Sequence, residues 1–348
     1  MPVRRADSPE EWLAVCYTDQ PIITQLDDGD GNGRGYVSSS ASMPTTVAMM
    51  LDALHLDAGM RVLEIGTGTG YNAALLASRT GAENVTSVEV DPAVAEAAAA
   101  ALKATGWPVR VVTADGTGGH SLGAPYDRVL ATAAVQRVPY AWVRQTVPGG
   151  RIVAPWGTVF HNGALLRLRV GEDGTASGHF GGNVAFMWVR DQRPPHGVVR
   201  EHVRPEHDYV ETTTELHPYH ALSVFDASFA IGLRVPEMTS VVVYDNDDPH
   251  GGAYTAYLMD TFAGSWASWR VGTGARSYGV RQHGARRLFD ELATAYAWWE
   301  AAGKPPHTRF GLTVRPDGQT VWLDHPEHPI GSPSDVTGSA RRTAATHG

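Results

Sequence analysis

Residues 62–77 read VLEIGTGTGYNAALLA, and this stretch decides the fold. Val62-Leu63-Glu64-Ile65 is a short apolar run with the β-branched content of a buried strand. Gly66, Gly68 and Gly70 follow at alternate positions, and Ala73 to Ala77 has helical propensity. Strand, glycine turn and helix open a βαβ unit. Glycines let the backbone turn sharply and approach a ligand closely, and the next helix presents unpaired N–H groups. The spacing G-x-G-x-G differs from the dinucleotide fingerprint, which would place a third glycine where Tyr71 stands. Glu64, two residues before the loop, suits a ligand bearing an amine or sulfonium better than a pyrophosphate. S-adenosylmethionine carries both groups and no phosphate.

Working outward, Val85 to Val90 is a second strand, with Glu89 where ribose hydroxyls would need a carboxylate. Val109 to Thr113 is a third, ending in Ala114-Asp115-Gly116, with Asp115 expected beside the adenine. Strands and helices alternate from Arg61 to Val170, so the expected class is α/β with a mostly parallel, doubly wound sheet.

With these motifs the chain resembles the protein-L-isoaspartate O-methyltransferase family. The glycine stretch, SVEVDP (87–92) and YDRVLATAAVQRVPYAWVRQTVPGGRIVAPWG (126–157) carry the resemblance, together with Ser42-Met43-Pro44 and the following VAMML (47–51). It implies a Rossmann-like class I methyltransferase, an S-adenosylmethionine-dependent carboxyl O-methyltransferase. The cofactor contacts it implies are Glu64, Gly66, Thr67, Gly68, Gly70, Tyr71, Asn72, Glu89, Val90, Asp115 and Gly116. Ser42 is implied as the catalytic residue contacting the substrate carboxylate. Further substrate contacts are implied at Ser39, Ser40, Met43, Pro44, Thr132, Ala133 and Ala134. The expected division is a catalytic domain with an N-terminal helical and lid segment over 1–192, a smaller C-terminal α+β domain over 193–330, and a disordered polar tail over 331–348.

The second half adds to this. Residues 281–324, together with 12–44, are similar to isoaspartyl-methyltransferase homologues with an appended domain that belong to ATP-grasp peptide maturation systems. Those systems make graspetides, ribosomal peptides cross-linked by side-chain esters or amides. The resemblance implies a modified precursor peptide as partner, association with an ATP-grasp ligase, methylation of an aspartyl carboxylate and closure of the ester to an aspartimide. Two alternatives stand beside it: an isoaspartyl repair enzyme, and a non-catalytic peptide-binding relative.

Composition bounds the remaining readings. The 348 residues carry 28 basic and 37 acidic side chains, a net charge of −9, so no basic patch argues for nucleic acid. No apolar run is long enough for a bilayer and the N-terminus lacks a signal-peptide core, which gives the expectation of a soluble, cytoplasmic protein without membrane contact. Cys16 is the single cysteine, which excludes an intrachain disulfide and a thiolate metal site. Asp28, Asp30, Asn32 and Gly33 match the first half of a calcium loop, but Ser39 falls where its bidentate glutamate belongs. The segment 27–35 therefore reads as a glycine-rich lid or a surface turn. His196, His202, His207, His217 and His220 lack zinc-ligand spacing, so no metal is expected. In the second half, strands are expected at 223–234, 239–244, 253–259 and 266–271, followed by a helix at 285–302 and a hairpin over 309–323.

Overall fold

A computed structural model describes residues 3, 5–195, 198–235, 237–245 and 252–331. His196, and the expected tail beyond Gly331, lie outside them. The elements in chain order are α1 (Pro9–Cys16), β1 (Ile22–Leu26), β2 (Val37–Ala41), α2 (Pro44–Leu54), β3 (Val62–Ile65), α3 (Tyr71–Thr80), β4 (Val85–Glu89), α4 (Pro92–Ala104), β5 (Arg110–Thr113), β6 (Tyr126–Ala131), α5 (Tyr140–Arg144), β7 (Thr146–Gly157), β8 (Asn162–Val170) and β9 (Ala176–Asn183). They continue with α6 (Val199–His202), β10 (Val210–Thr214), α7 (Pro218–Leu222), α8 (Phe225–Arg234), β11 (Thr239–Tyr244), β12 (Tyr254–Met259), β13 (Trp266–Val271), β14 (Tyr278–His283), α9 (Leu288–Ala301), β15 (Phe310–Arg315) and β16 (Gly318–Leu323).

The main sheet has nine strands in the order β16-β15-β9-β8-β7-β6-β3-β4-β5. Its β7-β6-β3-β4-β5 portion is parallel throughout. β3 and β4 are buried at every position, as strands covered on both faces must be. The chain runs outward from β3 through β4 to β5 and then returns to β6 on the other side of β3. That reversal puts a crevice at the carboxyl ends of β3 and β6, where open α/β sheets bind ligands. Met50, Leu54, Leu76, Leu102, Leu130 and Val153 form part of the core that holds α2, α3 and α4. A fully buried leucine such as Leu76 contributes roughly 1.5–3 kcal/mol through apolar burial. The fold is thus Rossmann-like, with its parallel core extended into a mixed sheet and a further β-rich region. Among the described residues no helix is long and apolar enough to cross a membrane.

A second sheet, β10-β14-β13-β12-β11, is antiparallel. Helix α9 contributes Leu288, Phe289 and Leu292 to its core, with Phe289 edge-on to Trp269 at 5.0 Å between ring centres. The expected strand over 223–234 is instead α8. Its residues Ala227 to Leu233 are all buried, and a short apolar run cannot declare its own geometry.

The chain forms two compact units that do not follow a single cut at residue 192. Among the described residues, one comprises those within 1–155, 165–191 and 313–319; the other comprises those within 156–164, 192–312 and 320–331. The terminal hairpin expected in the second domain supplies β15 and β16 to the nine-stranded sheet. Ser177 and Thr313 share a hydroxyl hydrogen bond of 2.8 Å at that edge. Backbone pairing of this kind depends on tertiary approach and leaves no mark on local sequence.

Candidate active site

The glycine turn stands on a buried polar floor. Gly66, Gly68 and Gly70 have φ of +94°, +54° and +81°, a region costly for residues with a β-carbon. Space imposes the same choice at Gly66, where a Cβ would fall 2.7 Å from the Thr132 hydroxyl. That hydroxyl donates to the carbonyls of Ile65 and Gly66 at 3.1 and 2.5 Å, bracing the turn from the end of β6.

Glu64 does not open toward a ligand. It is fully buried; Asn72 donates to one carboxyl oxygen at 2.6 Å and Ser87 donates to the other. Thr67 meets Ser87 at 2.6 Å and is itself buried. Burial raises the Glu64 pKa to about 7, against the pull of Ser87 and Asn72 and with a further push from Glu89. The direct amine contact expected of Glu64 is therefore replaced by a supporting role. Glu64, Asn72 and Thr67 join β3, the start of α3 and β4 beneath the loop. Tyr71 is half exposed at the start of α3.

Glu89, nearly buried, accepts the Gly68 N–H at 3.0 Å and the Asp91 N–H at 3.1 Å. This draws the glycine turn onto the end of β4 and leaves carboxylate lone pairs for ribose hydroxyls. Asp91 caps α4 through the N–H groups of Ala93 and Val94 at 2.9 and 3.2 Å. Its other oxygen accepts Gln25 at 3.1 Å and Arg190 at 3.0 Å. Although burial acts the other way, these donors hold its carboxyl below the usual range. Val90 and Asp115 are exposed, and the Asp115 carboxylate accepts the Thr117 N–H at 2.9 Å. Gly116 is buried, its carbonyl accepts the Trp142 indole at 2.8 Å, and a Cβ there would strike Ile65 at 2.5 Å.

Ser42 precedes α2, and β2 brings that segment to the turn, with the Ser40 carbonyl 3.4 Å from where a Gly68 Cβ would lie. The ordinary job of a serine before a helix is capping. Here the cap residue is Met43, without a side-chain bond. Asp19 does the work from outside, accepting the Thr45 N–H at 2.9 Å and its hydroxyl at 2.6 Å. Those bonds hold the Asp19 carboxyl below its usual range. The Ser42 hydroxyl has no protein partner among the described residues. Ser40 and Met43 are partly buried and Pro44 is exposed. Ser39 is tied to Thr24 at 3.1 Å. Thr132 braces the glycine turn, and Ala133 beside it is partly buried. Ala134 is completely buried and pairs its backbone with the strand at Met187 to Val189, so its side chain cannot meet a substrate.

The glycine-rich segment after β1 is fastened. Asp27 accepts the Gly35 and Tyr36 N–H groups, and Asp28 pairs with Arg190 at 3.0 Å. Arg190 thus joins the hairpin tip to Asp91. Asp27 and Asp28 serve the loop's own geometry. No group of three or more metal-ligating side chains occurs among the described residues. Sequence reasoning missed Arg190, Gln25, Asp19 and Ser87. Ser87 stands beside Thr86 in a strand that also carries Glu89, so none of the four carried a distinguishing local signal.

The family model for protein-L-isoaspartate(D-aspartate) O-methyltransferase matches residues 3–193. The chain belongs to this family. It is 40% identical over 178 residues to a protein-L-isoaspartate O-methyltransferase of Methylorubrum populi, covering 51% of this chain and 78% of that one. It is 36% identical over 186 residues to protein-L-isoaspartate O-methyltransferase 2 of Archaeoglobus fulgidus, covering 53% and 79%. A solved structure titled protein-L-isoaspartate O-methyltransferase is 22% identical with a TM-score of 0.51, covering 90% of this chain and 89% of that one. This family member is an S-adenosylmethionine-dependent methyltransferase. The site fits that cofactor: Glu89 and Asp115 offer acceptors, and the glycine turn leaves room for close approach.

Proposed function

We propose that this enzyme methylates the free α-carboxylate of isoaspartyl residues in proteins or peptides. The observation that carries the reading is Ser42, a partly buried hydroxyl without a protein partner among the described residues, on the segment that lies against the cofactor turn. Family membership and the names of the relatives support it. Glu89 and Asp115 would hold the ribose and adenine, with Val90 and Gly116 beside them, while Tyr71 and the glycine turn bound the remainder. Bound S-adenosylmethionine supplies an electrophilic methyl group.

A carboxylate is ionised at neutral pH, its unperturbed pKa being about 4, so no general base is required. The protein's contribution is orientation. Ser42 would donate a hydrogen bond to one carboxylate oxygen and leave the other aimed at the methyl. Ser40, Met43 and Pro44 would shape the approach. The ester formed has a better leaving group than the acid. The following backbone nitrogen displaces methanol and closes a succinimide, whose hydrolysis returns part of the material as aspartate. This is the chemistry of repair.

A second reading is methylation of an aspartyl carboxylate in a cross-linked ribosomal peptide, with the aspartimide as product and an ATP-grasp ligase as functional associate. The resemblance of residues 281–324 favours it, as does a second unit outside the family match. The extra unit does not require it, because a protein titled as an isoaspartyl methyltransferase shares the fold over 90% of this chain. In either reading the region over about 193–330 would recognise the substrate. Methyl transfer to matched isoaspartyl, linear aspartyl and cross-linked aspartyl peptides decides the matter. Preference for the isoaspartyl peptide is the expected result. Faster methylation of the cross-linked aspartyl peptide, followed by loss of methanol in the mass spectrum, would replace repair by tailoring.

A further inference from the structure

The nine-stranded sheet carries a cavity of about 290 Å3 that the methyl-transfer site does not use. Arg151 of β7, Arg167 and Arg169 of β8, and His179 of β9 line it, along with Ala53 of α2. Ala53 is in the last turn of α2, whereas Ser42 precedes the first turn. The cavity thus opens at the far end of that helix from the proposed reaction centre.

Its charge lacks a counterpart. The chain is acidic overall, at −9, yet none of these three arginines has an ion pair or hydrogen bond among the described residues. A fourth, Arg128 of β6, is the register partner of Arg151. Arg128 has a local explanation. It donates to the carbonyls of Leu54 and His55 at 2.7 and 3.0 Å, at the helix end that favours a cation. Desolvation, and then the charge of Arg151, hold its pKa below the usual value. The helix end accounts for one arginine and leaves three more. Like charges directly opposite on neighbouring strands are destabilising, and Arg128 and Arg151 are such a pair, with the exposed Arg167 and Arg169 beside them on the cavity wall. The Arg167 guanidinium also has a fitted seat. It lies over Gly181, where a Cβ would fall 2.2 Å from its terminal nitrogen.

We infer that this cavity binds a phosphate-type oxyanion. Guanidinium groups present paired donors that match phosphate oxygens in bidentate fashion. Three of them suit a dianion with several acceptor oxygens better than a single carboxylate. The volume lies at the lower edge of small-molecule sites, which start near roughly 300 Å3, so it suits free phosphate or a short organic phosphate monoester.

The test uses the full chain in calorimetric titrations with orthophosphate and, separately, glycerol phosphate, each against sodium chloride of equal ionic strength. Saturable binding at one site per chain is expected. Tighter binding of glycerol phosphate identifies a phosphate monoester as the ligand, and equal binding identifies the free anion. The triple variant Arg151→Gln, Arg167→Gln, Arg169→Gln should lose this binding, on the order of tenfold or more per guanidinium, while still binding S-adenosylhomocysteine. If the triple variant does not fold, Arg169→Gln alone, at an exposed position, should weaken binding by about tenfold. Wild-type heats indistinguishable from the chloride control, or binding unchanged by the substitutions, overturns the inference.

Discussion

Replacing Glu64 by glutamine should stabilise the ligand-free protein at alkaline pH and change it little at acidic pH. The side chain keeps its size, and its carbonyl still accepts from Asn72. Its new amide can donate to Ser87, whose hydroxyl can turn toward Thr67. The carboxyl titrates near 7 in the folded protein and near 4.5 in the reference state. Between those values the folded protein holds the extra proton. The stability contributed by the neutral acid is therefore fully present below about pH 4.5 and is lost as pH rises through 7. A displacement of that size corresponds to roughly 3 kcal/mol. Glutamine removes the loss, so the variant should gain up to about 3 kcal/mol at pH 8. For a unit of this size, that gain is a rise in Tm of roughly 6–12 °C. Thermal denaturation at pH 5 and pH 8, without cofactor, measures the difference. A variant that melts with the wild type at both values, or below it at pH 8, refutes the view of Glu64 as a desolvated carboxyl beneath the loop. The cationic cofactor adds a second readout: wild-type affinity for S-adenosylmethionine should increase as pH rises through 7, and the glutamine variant should lose that dependence.

Ser42→Ala should leave S-adenosylhomocysteine affinity nearly unchanged and lower turnover on the order of 10²-fold, the usual cost of one orienting donor at a reacting centre; unchanged turnover would remove Ser42 from the chemistry. Glu89→Ala should weaken S-adenosylhomocysteine binding by at least about tenfold in calorimetry, because a charged acceptor is lost and the Gly68 turn is released; an unaltered affinity would place the ribose elsewhere. His161, whose pKa burial and then the charge of His307 lower to about 4 against the pull of Asp226, stabilises the fold only while neutral. That stability is present above about pH 6.5 and is lost as pH falls toward 4, by roughly 3 kcal/mol. His161→Gln should flatten this part of the pH–stability curve measured by tryptophan fluorescence, and an unchanged acid slope would show that the imidazole is solvated.

The cofactor end of this protein is legible from residues 62–116 because its determinants are local. Short runs with β-branched content between turn residues mark β3 and β4 in the sequence, although Glu64, Thr86, Ser87 and Glu89 interrupt them. A turn with three positive φ angles must be glycine-rich, so 66–70 stands out as well. A carboxylate at the end of the next strand then falls at a fixed interval. What these residues do with their polar atoms was settled only by packing. Glu64 reads as a ligand contact by charge, but the approach of Ser87 and Asn72 from two other elements closes it away from solvent. Ser42 reads equally well as a helix cap, and Asp19, 26 residues from Thr45, takes that duty and leaves the hydroxyl without a partner among the described residues.

The same division holds farther along the chain. Short apolar and aromatic runs and the turn Pro316-Asp317-Gly318 announced β12, β13 and the terminal hairpin, because composition and turn chemistry are properties of neighbouring residues. The helical nature of α8 was hidden, since a short, largely apolar and buried run does not declare itself helix or strand. The return of residues 313–319 to the first unit was hidden too, because strand partners are chosen by backbone groups that every residue possesses. Arg190 belongs with these cases. Nothing in WVRDQ marks that arginine, and it acquires meaning only when folding sets it between Asp28 and Asp91, 162 and 99 residues away, where opposite charges at 3.0 Å join a hairpin tip to the end of β4.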